Sequence, residues 1–268
     1  MIELSAGVAG ATLDPDAGGR LAQLTVDGLD LLVERRESPT QWGCFPMAPW
    51  AGRIRNGRFT WEGTEYQLPQ NKAPHAIHGV TYDRPWTVVE ATDAAATLRI
   101  DLDERWPLGG WVRQTFALEH DCLHLRMEVH ADDRPMPASC GWHPWFRRRL
   151  ARGGELELDF QAGMMWNKDA DGIPSGAVTS PSPPPWDDCF TDMVDPPELR
   201  WPGALRLDIE SHCTDWVIYT EPDHALCVEP QTGPPDALNL DPAEAAPGSD
   251  GGSDHPVIAT ATFRWRVG

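Results

Sequence analysis

Cys122-Leu-His-Leu-Arg-Met-Glu-Val-His130 alternates without a break: Leu123, Leu125, Met127 and Val129 are apolar, and His124, Arg126, Glu128 and His130 stand between them. Successive side chains of an extended chain point to opposite faces, so the stretch predicts a half-buried strand with His124 and His130 on its solvated side. The same period recurs near the other end of the sequence. There Val257, Ala259, Ala261, Phe263, Trp265 and Val267 alternate with Ile258, Thr260, Thr262, Arg264 and Arg266.

Working outward, Asp27-Gly28 divides Leu21 to Val26 from Leu29 to Val33, and Glu62-Gly63 divides Arg58 to Trp61 from Thr64 to Leu68. Both read as tight hairpins of antiparallel strands. Strand-like runs at 86–91, 97–102, 112–119, 155–160, 205–210, 216–220 and 225–229 bring the total to about a dozen. So many short strands predict an all-β fold, a large antiparallel β-sandwich, in a single domain spanning 1–268. Ser180 to Pro185 and the acidic stretch 242–254 read as loops, the second flexible, because strand patterns resume after each.

Composition narrows the function. Twenty-two Lys and Arg against 41 Asp and Glu leave a net charge of −19, which argues against nucleic acid or an anionic membrane as partner. The first residues show no basic stretch followed by an apolar one, and no long apolar run occurs, so a cytoplasmic location is expected. The six cysteines are scattered singly with no C-x-x-C pair, and they read as free, mostly buried thiols rather than metal ligands. No metal is assigned; Asp169-Ala-Asp171-Gly172 is read as a turn because the glycine and closing glutamate of a calcium loop are missing. Thirteen Trp against three Tyr raise the expectation of a carbohydrate ligand, since an indole face suits the apolar face of a sugar ring.

Three histidines, His75, His78 and His143, lie outside plain strand contexts. The segment from Leu226 to Asn239 is the most unusual in the chain, an apolar strand that runs into Glu229 and then a Pro-rich polar loop. A carboxylate ending a buried strand is costly unless it is paired or used.

Ala51-Gly-Arg53-Ile54-x-x-Gly57-x-Phe59, Ile77-His78-Gly79, His143-Pro-Trp145-Phe146, Asp187-Asp-Cys-Phe190 and Glu229-Pro-Gln231-x-x-Pro-Pro-Asp236-Ala-x-Asn239 follow one another in order. Together they resemble the signature segments of the aldose 1-epimerase (galactose mutarotase) family. That resemblance implies Glu229 as catalytic base, His143 as general acid and His78 as a second histidine near the ring oxygen. It implies Arg53 and Asp187 as holders of the sugar hydroxyls, and Asn71, Trp145 and Gln231 join them as candidate substrate-binding residues. Departures from the pattern fall at Val80, Trp145 and Asp188, where glycine, tyrosine and histidine are frequent, and bear on the sugar accepted.

The chemistry needs one base for the C1 hydroxyl and one acid for the ring oxygen, and no cofactor; the G-x-G-x-x-G and Walker loops are absent from the sequence. Glu229 is expected ionised and His143 protonated, the two placed on opposite sides of a small-molecule sugar. A hexose-6-phosphate 1-epimerase is an alternative, with Arg53, Arg55, Arg58 and Arg84 as a phosphate cluster, although Tyr82 stands where such relatives tend to carry arginine. A glycoside hydrolase using Asp187 and Glu229 would leave the histidines superfluous. A non-catalytic sugar-binding protein of the same fold would have no need of the acid/base set.

Overall fold

The computed structural model describes residues 1–240 and 255–268; the stretch 242–254, expected as a flexible loop, lies outside the described residues. Hydrogen bonding runs through 17 strands and folds them into two faces of a sandwich. The first sheet orders β1 (Ile2–Ala6), β2 (Ala9–Asp14), β3 (Arg20–Val26), β5 (Cys44–Met47), β14 (Gly141–Arg147), β20 (Ala225–Gln231) and β19 (Asp215–Tyr219). The second orders β18 (Leu205–Ser211), β21 (Val257–Val267), β13 (Cys122–His130), β12 (Trp111–Leu118), β11 (Ala95–Asp101) and β10 (Thr87–Ala91). One 15-residue strand, β17 (Asp187–Trp201), belongs to both: Asp187 to Thr191 pair with β19, and Glu198 to Trp201 pair with β18.

The remaining strands are accessory. β4 (Leu29–Asp30) closes a hairpin on β3, β15 (Glu157–Lys168) and β16 (Pro174–Thr179) extend from β17, and two small sheets pair β6 (Arg53–Ile54) with β9 (Ala76–Ile77) and β7 (Arg58–Trp61) with β8 (Thr64–Gln67). Among the described residues, no helix is long and apolar enough to cross a membrane.

Between the sheets lies a core built by the period-2 pattern. Val112, Phe116 and Leu118 of β12, Leu123, Leu125 and Met127 of β13, and Ala259, Ala261 and Phe263 of β21 meet Trp142 and Phe146 of β14 and Leu226 and Val228 of β20. Phe146 and Phe263 touch edge to face across the sandwich at 5.7 Å. One polar group bridges the layers with its bonds satisfied: Gln114 accepts from Trp142 Nε1 at 2.9 Å and donates to the Gly19 carbonyl at 3.0 Å. All six cysteines are free and buried.

Two expectations need correcting. His130 does not face water: its ring is buried under Trp111, its cross-strand partner, with ring centroids 3.8 Å apart and nearly parallel. An aromatic directly opposite on the neighbouring strand covers a nominally polar face. The strands also exceed a dozen, 21 among the described residues: β1, β2, β5, β6, β9, β14, β16 and β17 lie outside the runs read from the sequence, being short or without clean alternation.

Candidate functional site

Strands β14, β20 and β19 are buried on both faces, and their two faces differ in kind. Trp142 and Phe146, Leu226 and Val228, Trp216 and Ile218 point into the core. The residues between them, His143 and Trp145, Glu229 and Gln231, Val217 and Tyr219, turn the other way and floor a cavity of about 410 Å³. β17 adds Asp187 and Cys189, which pair with Tyr219 and Val217.

Register brings His143 and Glu229 together. Trp145 is paired with Cys227 and Gly141 with Gln231, so His143 falls opposite Glu229. Their side chains meet with His143 Nε2 at 3.2 Å from Glu229 Oε1, and both are almost wholly enclosed. Phe45, the β5 neighbour of His143, stacks on its ring at 4.7 Å, and Trp145 stacks at 5.2 Å. The imidazole is therefore held in plane by aromatic faces and kept dry.

The cavity wall is built from loops locked by side-chain to backbone bonds. Pairing of β6 with β9 sets Arg53 beside Ile77, and the Arg53 carbonyl accepts from Asp236 N at 2.7 Å. Asp236 Oδ1 in turn accepts from Arg55 N at 2.9 Å and Asn239 Nδ2 at 2.7 Å. The Asp236 and Asn239 of the quoted motif thus hold the Arg53 loop in place. Asn71 does the same for His78: its Oδ1 accepts from Ile77 N at 2.8 Å, and its Nδ2 donates to Ile77 O at 2.9 Å and to Tyr82 Oη at 3.0 Å. His78 itself adopts a left-handed φ of 61°, followed by Gly79 at 75°, where a Cβ would stand 1.9 Å from the Ala48 carbonyl oxygen. Only glycine permits that approach, and it aims the His78 ring edge-on at His143, with centroids 5.2 Å apart.

All eight residues singled out from the sequence, Arg53, Asn71, His78, His143, Trp145, Asp187, Glu229 and Gln231, line this one cavity. Trp42, Trp50, Trp142, Trp145 and Trp186 are the tryptophans near the motifs in sequence, and of these only Trp145 lines the cavity. Trp42 packs on the buried Arg20 guanidinium at 4.0 Å, Trp50 and Trp142 are core, and Trp186 lies edge-on to Phe160 and Phe190. The cavity's other indole is Trp166, whose Nε1 donates to the buried Asp215 at 2.7 Å. Trp166 sits in a run with no neighbouring motif, and only its indole type could have nominated it. Lys168 also lines the cavity; its Nζ lies 2.7 Å from Asp188 and donates to the Asp187 carbonyl at 2.9 Å, bracing the start of β17. His75, by contrast, is structural, accepting from Asn56 N.

Burial shifts Glu229 and His143 against their expected charged forms. Burial, and next the Asp187 carboxylate, hold Glu229 well above the ordinary carboxylate range, with Arg53 opposing. Burial drives His143 far below its ordinary value, opposed only by its own carbonyl group, and His78 is lowered by burial and then by His143, Arg53 and Lys72. Burial thus disfavours the charged form of both groups, raising the carboxyl and lowering the imidazole. The two groups also share one wall instead of flanking the cavity. Four of the lining residues, His78 (Nδ1), His143 (Nδ1), Trp145 (Nε1) and Gln231 (Oε1), carry a buried polar atom with no partner. Such atoms cost free energy unless a ligand meets them.

The phosphate cluster does not assemble. Arg55 is paired with Asp169 at 2.6 Å and Asp171 at 3.5 Å, Arg58 with Glu65 and Gln67, and Arg84 with Asp103 at 3.2 Å; of the four arginines only Arg53 lines the cavity. The residues 169–173 form a turn, with Asp169 Oδ1 accepting from the backbone of Asp171 and Ile173.

Comparison with known proteins agrees with the architecture. The family model described as aldose 1-epimerase matches residues 2–195. The galactose mutarotase of Mus musculus is 28% identical over 191 residues, 67% of this chain and 50% of that protein. The uncharacterized protein YphB of Escherichia coli K12 is 32% identical over 137 residues, 49% of this chain and 47% of that protein. The matched regions thus span about half the length of these curated relatives. In fold, the chain superposes on the GalM/aldose epimerase homologue from C. elegans with a TM-score of 0.82 at 18% identity, covering 99% of this chain and 98% of that one. On galactose 1-epimerase from Lactobacillus acidophilus NCFM the TM-score is 0.78 at 16% identity, covering 98% and 93%.

Proposed function

Because this chain belongs to the aldose 1-epimerase family, we propose that it interconverts the α and β anomers of a free hexose by acid/base opening and closure of the ring. The observation that carries this reading is the 3.2 Å contact between His143 Nε2 and Glu229 Oε1 on the cavity floor. In a cyclic hexose the C1 hydroxyl and the ring oxygen are bonded to the same carbon. A base and an acid that serve both must therefore be neighbours, and adjacency on one wall suits the reaction better than placement on opposite faces.

Catalysis starts from Glu229 as carboxylate and His143 as imidazolium, which differs from the neutral pair by the transfer of one proton across the 3.2 Å contact. Arg53 favours the carboxylate form. Glu229 removes the C1 hydroxyl proton as Nε2 of His143 protonates the ring oxygen, and the ring opens to the aldehyde. After rotation about the C1–C2 bond the same two transfers run backwards on the other face. Each is worth roughly 10²- to 10⁴-fold. His78, held neutral, positions the ring oxygen by hydrogen bonding, and Arg53, Asp187 and Gln231 meet the hydroxyls. Trp145 supplies an apolar face. An unphosphorylated sugar is preferred because Arg55, Arg58 and Arg84 are committed to carboxylates elsewhere.

Polarimetry or anomeric-proton NMR exchange on fresh α-glucose and α-galactose, with Glu229→Gln beside the wild type, tests the proposal. Acceleration that disappears in the variant supports it. If no hexose is accelerated by the wild type, the reading fails.

A further inference from the structure

Cys227 lies one position along the same strand face from Glu229 and is wholly buried. A donor atom from each of His143, Cys227 and Glu229 falls within 4.8 Å of the others. We propose that these three side chains form a binding site for a thiophilic divalent cation of the Zn²⁺ class, and that its occupancy blocks the sugar site. The blocking consequence rests on the mutarotase reading above; the binding itself does not.

The donor set is one nitrogen, one sulfur and one carboxylate oxygen, all of types that Zn²⁺ accepts, and three protein ligands with a fourth position open to a cavity is a familiar arrangement for that ion. Bond lengths of about 2.0 Å to nitrogen and oxygen and about 2.3 Å to sulfur, at tetrahedral angles, require donors roughly 3.3–3.6 Å apart. The His143–Glu229 edge, at 3.2 Å, is already there. The edges to sulfur need to close by no more than about 1 Å, within reach of side-chain torsion. Two strands supply the trio, β14 one ligand and β20 two, with Trp145 paired to Cys227 fixing the register. Spacing along the sequence could not show it.

On binding, the Cys227 thiol proton and any proton held by Glu229 or by the ligating His143 nitrogen leave to solvent, while bonds form from the ion to sulfur, oxygen and nitrogen. Nothing is oxidised or reduced. With its nitrogen and carboxylate occupied by the ion, the pair can neither take the C1 hydroxyl proton nor protonate the ring oxygen. A second trio, Glu119, Cys122 and His124, offers a similar set on the hairpin between β12 and β13, with Cys122 Sγ at 3.3 Å from His124 Nε2. It lies away from the cavity and serves as the internal control.

The test uses the full chain, freed of metal, with Zn²⁺ followed by calorimetry in buffers of different ionisation enthalpy and Co²⁺ followed by its thiolate charge-transfer absorption. Wild type and Cys122→Ser should bind with release of protons and lose anomer interconversion as Zn²⁺ is added. Cys227→Val should keep interconversion, resist Zn²⁺ and bind at least ~100-fold more weakly. Cys227→Ser provides the same loss of the charge-transfer band if the valine variant folds poorly. Absence of binding to the wild type overturns the proposal, as does binding lost in Cys122→Ser but kept in Cys227→Val. Zn²⁺ binding that depends on Cys227 in a protein inert towards every hexose would uphold the metal site and sink the mutarotase reading.

Discussion

The two faces of β14, β20 and β19 are equally dry and obey opposite rules. On the core face Trp142, Phe146, Leu226, Val228 and Ile218 are apolar or, like Trp142, have their polar atom paired. On the cavity face, one residue away in sequence, His143, Trp145 and Gln231 leave polar atoms unpaired, and Glu229 and Asp215 are held towards their neutral forms. Burial by itself does not separate a site from a core. What separates them is whether burial leaves polar groups in debt, a cost that folding must carry and that a ligand can relieve.

Mutations should split along that line. The largest effect is expected on the core side: Phe146→Ala opens a cavity against Phe263 and should cost about 3–5 kcal/mol in chemical denaturation. Glu229→Gln comes next, with turnover down by ~10² or more and no loss of stability at neutral pH. Both arms are checked by polarimetry and urea melts on the same preparations; a Glu229→Gln protein that is inactive because it is unfolded would erase the distinction.

A third expectation concerns Asp215, which burial raises to about 6 against the hydrogen bonds from Thr214 and Trp166. A carboxyl group whose folded value exceeds its unfolded one contributes stability below the unfolded value and loses it as pH rises to the folded value. The wild type should therefore lose up to about 2–3 kcal/mol from this group between pH ~4 and ~6, and Asp215→Asn should flatten that fall. Stability against pH for the two proteins, measured side by side, gives the answer. Glu229 carries a related signature. With Glu229 raised by burial, the acidic limb of kcat/KM should lie above the ordinary carboxylate value of ~4.3. A limb at the ordinary value would place the Glu229 carboxyl in water. The smallest effect is expected for Asn71→Ala, which frees the His78 loop and should lower kcat/KM by roughly tenfold with little change in stability.

Much of this was legible in the sequence, for reasons that differ by element. Strands β12, β13 and β21 bury one face against the core and show it as alternation, and the Asp27-Gly28 and Glu62-Gly63 turns fall where the hairpins turn. Strand β14 is buried on both sides, so its seven residues read as a motif and not as a strand. Strand β17 changes sheets midway, and its polar, Pro-containing middle hides it. Seven of the eight site residues were nominated by the order of the motifs, with Asn71 added from the segment before His75; that they share a cavity follows from register, which one strand's spacing does not reveal. The direction in which burial shifts the pair was hidden for the same reason: the sequence does not show that Phe45 and Trp145 enclose the His143 ring.

Strand β21 sits between β18 and β13, so that Arg264 lies beside both Cys122 and Asp208. A central strand drawn from residues 257–267 means that during synthesis the second sheet has a gap in its middle until those residues leave the ribosome. Until then β13 presents a long unpaired edge with apolar residues on one side, a template for pairing with another nascent chain. Closure joins segments far apart in sequence, and such topologies fold in milliseconds to seconds, leaving time for that error. Insertion of β21 is what removes that edge from the sheet.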